Sequence, residues 1–329
     1  ETGLQDIRRA LTSGSLSTSH IKGSVRTQDV LEAYGSHLRS LVDCANLRRL
    51  KVVIDAGNGM AGHTVPSVLS PLNLEIIPMF FELDGTFPNH EANPLDSSTL
   101  VDLQARVLKE RADIGLAFDG DADRCFLVDE CGQLVDPSSL TALIAERELR
   151  KSPGSTIIYS LISSRIVPEV ISRSGGKPLR SRVGHSNIKA EMARTNAIFG
   201  GEHSGHFYFR DFWNADSGML AALYALSELG NSTPNTTFSS IINKYRKYHG
   251  SGEINSKVSD VKAAIEKVSH AFAEEGEIDR LDGLTINTQS WWLNVRASNT
   301  EPLLRLNVEA DTNEIMCRIR DRALEVIRG

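Results

Sequence analysis

The sequence predicts an α/β protein: two consecutive α/β domains with mixed, largely parallel sheets, followed by a small α+β domain with an antiparallel sheet. Short apolar runs alternate with helical stretches as far as residue 229, which is the order that parallel sheets require. Beyond residue 258 the order becomes helix, three short strands and helix, which favours an antiparallel unit. We expect domains at 31–134, 135–252 and 253–329.

The apolar run Lys51–Asp55 reads as a buried strand that ends in a glycine-rich turn. The other elements follow from the same patterns. In the first domain we predict helices at 29–41 and 98–111 and strands at 51–55, 74–77 and 114–118. In the second we predict strands at 156–159, 178–182 and 197–200 and helices at 166–173, 188–194 and 217–229.

The last segment begins with a predicted helix at 258–275, because Val261, Ile265, Val268 and Phe272 share one face. The remaining predicted elements are strands at 284–288, 291–295 and 304–309 and a helix at 314–327. Residues 1–30 are polar and Ser-rich, and they do not resemble a domain.

The composition bears on which partners the protein can bind. The formal net charge of -6 disfavours nucleic acid and anionic membranes, but it leaves room for a local basic pocket that binds a small phosphorylated ligand. The four cysteines form no CxxC pair, which favours reduced thiols in a cytoplasmic protein. The longest apolar stretch, Met219–Leu226, is too short to cross a bilayer.

Three carboxylates alternate with small residues in the loop 119–124, directly after a predicted strand. Asp119, Asp121 and Asp123 can therefore turn toward one point, and a solvated acidic turn rarely alternates so regularly. Three negative charges in one place need a cation, and oxygen ligands favour a hard divalent ion.

An EF-hand is the sharper rival for this loop, because Asp119, Asp121, Asp123 and Glu130 match its ligand positions. Arg124 occupies the position where that motif needs Gly, and strand-like segments flank the loop where an EF-hand has helices. The sequence therefore argues against an EF-hand.

The segment Gly57–Gly62 matches G-x-G-x-x-G between a strand and a helix, the signature of dinucleotide binding. Glycines can equally serve a tight turn, and we favour that interpretation over a nicotinamide-dependent oxidoreductase.

Two further loops carry polar groups suited to a sugar phosphate. Glu202, Ser204 and His206 alternate, so in an extended loop they project the same way and suit vicinal hydroxyls. A metal site and a structural Gly-rich turn are the alternatives for that loop. The segment Arg296–Thr300, with Arg305 beyond it, combines guanidinium, hydroxyl and amide donors into an oxyanion cradle, unless its arginines are incidental to a surface turn.

Taken in order, these loops resemble those of the α-D-phosphohexomutase superfamily, in its bacterial phosphomannomutase/phosphoglucomutase type. Val183-Gly184-His185 is similar to the specificity loop of that family, and Asp84–His90 is similar to a segment of its second domain. The similarity covers essentially the whole chain.

The resemblance implies a phosphomannomutase that interconverts mannose 6-phosphate and mannose 1-phosphate through a phosphoserine and a hexose 1,6-bisphosphate. It assigns Mg²⁺ to Asp119, Asp121 and Asp123, and it gives Arg124 and His185 roles at the reacting groups. The expected substrate-binding residues are Gly184, Glu202, Ser204, His206, Arg296, Ser298, Asn299, Thr300 and Arg305. A dual-specificity enzyme and a non-catalytic sugar-phosphate binding protein remain alternatives.

The nucleophilic serine of the family lies in a Thr-Ala-Ser-His-Asn-Pro-like loop that these residues do not contain. Ser17-Thr18-Ser19-His20 is followed by Ile21-Lys22 instead of Asn-Pro. We therefore expect a fragment without the first domain, with residues 1–30 as its remnant, and inactive by itself.

Overall fold

The computed structural model describes residues 3–16, 21–298 and 303–329, which divide into two compact units. The first ends at Leu31 and contains helix α1, Leu4–Ser13, which stops at Gly14 in the left-handed conformation (φ 65°). This helix was not predicted, and all its residues are at least partly exposed.

The second unit runs from Glu32 to Gly329 and begins with an α/β segment whose strand order is β2-β1-β3-β4-β5. Strand β1 pairs in parallel with β2 and β3, whereas β4 and β5 continue the sheet in antiparallel fashion. The elements are α2 Leu31–Leu41, β1 Leu50–Asp55, α3 Ala61–Leu69, β2 Leu74–Met79, α4 Val101–Glu110, β3 Ile114–Phe118, β4 Cys125–Asp129 and β5 Leu134–Val135.

The next segment repeats this topology, with strand order β7-β6-β8-β9-β10. Strand β6 is parallel to β7 and β8, and β9 and β10 are antiparallel. The elements are α5 Pro137–Lys151, β6 Thr156–Ser160, α6 Ile166–Arg173, β7 Lys177–Ser181, α7 His185–Thr195, β8 Phe199–Gly201, β9 Phe207–Phe209, β10 Ala215–Asp216, α8 Gly218–Gly230 and α9 Phe238–Ile242. The prediction of mixed sheets is confirmed.

The last segment is antiparallel, as predicted, with strand order β11-β16-β15-β14-β13 and β12 also paired with β16. Its elements are β11 His249–Gly250, β12 Ile254–Ser256, α10 Val261–Ala271, β13 Glu277–Asp279, β14 Leu284–Asn287, β15 Trp291–Ala297, β16 Leu304–Ala310 and α11 Asn313–Arg328. Short 3₁₀ helices lie at Ser97–Leu100, Arg210–Phe212 and Asn243–Tyr245.

Helix α10 is shorter than predicted at both ends. The Asp260 carboxylate accepts a hydrogen bond from the Ala263 backbone, which sets the N-terminus, and Phe272 leaves the helical conformation (φ -119°). Val268 and Phe272 are nevertheless fully buried, so the apolar face was identified correctly.

One apolar core runs through both α/β segments, and the antiparallel segment has a core of its own. Helix α8 belongs to the shared core and is buried on nearly every side, consistent with its apolar sequence. Among the described residues, the helices fall short of the length and apolarity needed to cross a membrane.

Candidate active site

The loop 119–124 connects β3 to β4 at the carboxyl end of β3. Asp119, Asp121 and Asp123 each offer an oxygen, and these atoms all lie within 4.8 Å of one another. Mg²⁺ holds its oxygen ligands at about 2.0–2.1 Å, so two such oxygens lie at most about 4.2 Å apart. Small side-chain movements therefore bring the three carboxylates to Mg²⁺ geometry, and the residues present fit the ion.

Arg124 anchors this loop through Asp119. Its backbone N–H donates to Asp119 Oδ1 (3.0 Å), and its Nε donates to Oδ2 (2.6 Å). Each carboxylate oxygen has two lone pairs, so Asp119 can still coordinate a cation. Arg124 Nη1 donates to Asn93 Oδ1 (3.2 Å), a contact that sequence reasoning missed.

The local electrostatics favour occupation by a cation. Burial raises the pKa of Asp119, and the Arg124 guanidinium opposes this shift only in part. Burial also pushes the pKa of Asp123 upward, but the hydrogen bond and charge of His206 outweigh it, and that pKa lies below its ordinary value. A divalent ion would relieve the cost of the buried Asp119 charge.

The surroundings of the loop exclude an EF-hand. Strands β3 and β4 flank it, and Glu130 is used elsewhere, since its carboxylate accepts hydrogen bonds from the Ser239 backbone (3.0 Å) and hydroxyl.

The glycines of 57–62 serve close packing. A Cβ on Gly59 would lie 2.6 Å from the Gly120 carbonyl oxygen, and one on Gly62 would lie 2.1 Å from that of Phe81. Gly59 therefore lets the turn after β1 approach the acidic loop, which supports the structural interpretation of these glycines.

Glu202 lies between β8 and β9 and is buried, at 2% exposure. Its Oε1 accepts a hydrogen bond from the Gly184 backbone N–H (2.9 Å), and its Oε2 accepts one from the Tyr208 hydroxyl (2.6 Å). The pKa of Tyr208 is raised, mainly by burial and next by the neighbouring Glu202 charge. Its hydroxyl therefore stays protonated and acts as a donor. Glu202 thus ties the loop 202–206 to Gly184.

His206 joins the same loop to the acidic loop. Its Nδ1 lies 2.9 Å from Ser204 Oγ, its Nε2 lies 3.4 Å from Asp123 Oδ1, and its backbone forms a bridge with that of Arg124. Asp123, His206 and Asp216 form a second group with ligand atoms within 4.8 Å of one another. His185, in contrast, begins α7 as an exposed residue.

Arg296 and Arg305 lie directly opposite each other on β15 and β16. Arg296 is buried, at 3% exposure, and both guanidiniums contact the carboxylate of Glu253. Directly after β15, the Ser298 backbone N–H donates to the Leu303 carbonyl (2.9 Å). The predicted ligands Asn299 and Thr300, like Ser17–His20, fall outside the described residues.

One cavity of about 60 Å³ brings the sugar and phosphate residues together. Its lining includes Glu202 and Ser204 from one segment and Arg296 and Arg305 from another. Leu95, His203 and Glu253 also line it, and the same three residues line a neighbouring cavity of about 630 Å³, so the two cavities adjoin as parts of one cleft. Leu95 and Glu253 lie outside every predicted motif, and His203 lies within the loop 202–206 but was given no role.

Family models match most of the chain in three consecutive pieces. They describe phosphoglucomutase/phosphomannomutase alpha/beta/alpha domain II (residues 32–132), alpha/beta/alpha domain III (136–248) and the C-terminal domain (253–326). The chain belongs to the phosphoglucomutase/phosphomannomutase family. Its members are phosphohexomutases, which are isomerases.

Two relatives illustrate the similarity in sequence. A phosphomannomutase of Vibrio cholerae is 39% identical over 95% of this chain and 69% of its own length. A phosphomannomutase/phosphoglucomutase of Pseudomonas aeruginosa is 37% identical over 96% of this chain and 68% of its own.

Solved structures agree with the family assignment. A phosphoglucomutase/phosphomannomutase family protein of Burkholderia thailandensis superposes with a TM-score of 0.87 at 31% identity, over 98% of this chain and 70% of its own. An N-acetylphosphoglucosamine mutase of Aspergillus fumigatus, solved with GlcNAc-6P and magnesium, has a TM-score of 0.65 over 96% of this chain and 73% of its own. At 14% identity, that likeness shows the fold alone.

Proposed function

We propose that the chain provides the metal, sugar and phosphate subsites of a phosphomannomutase, which interconverts mannose 6-phosphate and mannose 1-phosphate through a hexose 1,6-bisphosphate. The observation that carries the proposal is the cavity shared by Glu202, Ser204, Arg296 and Arg305, because it pairs hydroxyl-binding groups with two guanidiniums. The free thiols of the four cysteines support a cytoplasmic location as part of this proposal.

The residues of this chain bind and orient the substrate. Arg296 and Arg305, with Ser298, Asn299 and Thr300, hold the phosphate that does not react. Ser204 meets the sugar hydroxyls, and Glu202 shapes the loop through its contacts with Gly184 and Tyr208. His206 keeps this loop against the acidic loop, so the reacting end of the sugar lies toward Asp119–Arg124.

Asp119, Asp121 and Asp123 would hold Mg²⁺, which when bound neutralises charge on a transferring phosphoryl group. Arg124 lies beside these carboxylates and adds a guanidinium to the same loop. His185, the last residue of the segment that is similar to the specificity loop, keeps its proposed role at the reacting groups. A phosphoserine is the expected phosphoryl donor in this family.

Titration calorimetry on the 329-residue chain tests the proposal. Mannose 6-phosphate should bind, mannose should bind far more weakly, and NAD should not bind. Glucose 6-phosphate differs from mannose 6-phosphate only at C2, so its titration separates a phosphomannomutase from a dual-specificity enzyme. If no hexose phosphate binds when Mg²⁺ is present, the proposed function is wrong.

A further inference from the structure

Two like charges face each other in the phosphate subsite. Arg296 and Arg305 are direct partners across the β15–β16 pair, and like charges in that position repel. Arg296 is almost entirely buried, which makes an uncompensated charge still more costly. The pair therefore needs an anion even when no substrate is present.

Glu253 supplies that anion. Its Oε2 lies 2.7 Å from Arg296 Nη2, and its Oε1 lies 3.1 Å from Arg305 Nη1. Glu253 stands one residue before β12, where Asn255 is the register partner of Arg305. Alternation along the strand thus points Glu253 to the same face as the two arginines. One carboxylate bridges two guanidiniums, an arrangement that two oxygens of a phosphate would also satisfy.

Glu253 engages only part of the hydrogen-bonding capacity of the Arg296 guanidinium. Guanidinium groups bind carboxylate or phosphate best through two parallel N–H donors. Arg296 gives its Nη2 to Glu253, whereas its Nε is buried and has no hydrogen-bond partner among the described residues. A buried donor without an acceptor is costly, so among the described residues Glu253 alone does not satisfy the Arg296 guanidinium.

The Glu253 side chain also has space to move away from the two arginines. Its side chain is 14% exposed, and it lines both the cavity of about 60 Å³ and the neighbouring cavity of about 630 Å³. The carboxylate can therefore swing from the arginines toward open space.

We propose that Glu253 is an exchangeable ligand of the phosphate subsite: its carboxylate pairs with Arg296 and Arg305 when phosphate is absent, and the substrate phosphate displaces it. This inference rests on the proposed function. Because Glu253 is attached to the same chain, it is present at a high effective concentration and weakens the binding of every competing anion. It also stabilises the emptied site, so it favours release of the phosphate.

Three variants test this inference by calorimetry with inorganic phosphate and with mannose 6-phosphate. Glu253→Gln removes the competing charge, so both ligands should bind about tenfold more tightly or better. Its melting temperature without phosphate should fall, and phosphate should raise that temperature more than in the parent chain. Glu253→Asp keeps the charge but is one methylene shorter and cannot span both guanidiniums, so it should tighten binding by a smaller factor. Glu277→Gln, an exposed change in the same segment, should leave binding unaltered.

The outcomes separate the two proposals. If the parent chain binds phosphate and Glu253→Gln binds it equally or more weakly, Glu253 only orients the arginines and the exchange is wrong. A second outcome would also overturn the exchange: Glu253→Gln binds phosphate more tightly, but a folded Glu253→Asp binds it with the affinity of the parent chain. The carboxylate would then act only by charge repulsion of phosphate and not as a ligand that phosphate displaces. If neither the parent nor any variant binds phosphate, the phosphate subsite itself is wrong.

Discussion

The Tyr208 hydroxyl donates a 2.6 Å hydrogen bond to Glu202 Oε2, and both side chains are buried. The other Glu202 oxygen accepts from the Gly184 backbone, so this carboxylate holds two loops of the site together. Its position therefore depends on a tyrosine that lies on β9, outside the loop motif itself.

Tyr208→Phe keeps the buried ring and removes only the donor. We expect the free energy of unfolding to fall by about 1.5–3 kcal/mol, because a buried charged acceptor loses a hydrogen bond. The affinity for mannose 6-phosphate should fall about tenfold as the loop 202–206 loosens, which calorimetry measures.

Tyr224→Phe is the matched control. The Tyr224 hydroxyl also donates to a buried carboxylate, that of Glu148, but in the shared core away from the cleft. This variant should lose stability without losing affinity. An equal loss of affinity in both variants would show that general destabilisation, and not the Glu202 contact, is responsible.

Asp121→Asn should weaken Mg²⁺ binding about tenfold or more, because oxygen-ligand sites depend on ligand charge. Asp121 is the exposed member of the three carboxylates, so its substitution should leave the fold intact. Direct titration with Mg²⁺ measures the change, and Asp311→Asn, an exposed substitution elsewhere, serves as control. Equal Mg²⁺ affinity in Asp121→Asn and the parent chain would contradict the site.

Arg165 connects the second α/β segment to the antiparallel segment. Its guanidinium donates to the carbonyl oxygens of Thr288 (2.6 Å), Gln289 (3.0 Å) and Trp291 (2.9 Å). Arg165→Met should lower the free energy of unfolding by about 2 kcal/mol or more, since three acceptors lose a charged donor.

Hydrogen exchange localises this effect. Amides at 288–292 should exchange faster in Arg165→Met than in the parent chain, while Arg173→Met, an exposed change on helix α6, should leave them as they were. Identical exchange at 288–292 in the two variants would refute the role of Arg165.

The pair of His90 and Asp55 predicts a pH dependence of stability. His90 Nε2 lies 2.9 Å from the buried Asp55 carboxylate. Partial burial lowers the pKa of His90, but the Glu91 carbonyl and the Asp55 charge more than offset it, so the pKa lies above its ordinary 6.5. A raised folded-state pKa means stabilisation that is complete below 6.5 and lost as pH rises through the folded value.

His90→Gln should therefore be most destabilising near pH 6, and its deficit relative to the parent chain should shrink toward pH 9. Urea unfolding at several pH values measures this difference. In an Asp55→Asn background the deficit should vary less with pH, because the Asp55 charge is gone while the Glu91 carbonyl still favours the charged imidazole. A deficit that stays constant from pH 6 to pH 9 in the parent background would rule out the pair as the cause.

Most strands were predictable because apolar runs such as 114–118 lie between clear turn signals. Helix limits were less predictable, as α10 shows, since a single capping carboxylate at Asp260 sets where it begins. The repeated strand order of the two α/β segments could only be suspected, because strand order depends on pairings that single sequences do not display.

The sequence by itself determined the family and the acidic loop. Asp119, Asp121 and Asp123 alternate within five residues, so short-range backbone geometry alone brings them to one point. Only the tertiary structure placed Glu253 against Arg296, 43 residues away, and His206 against Asp123. Such contacts arise from sheet register and loop packing, in which small changes of alignment decide which side chains meet.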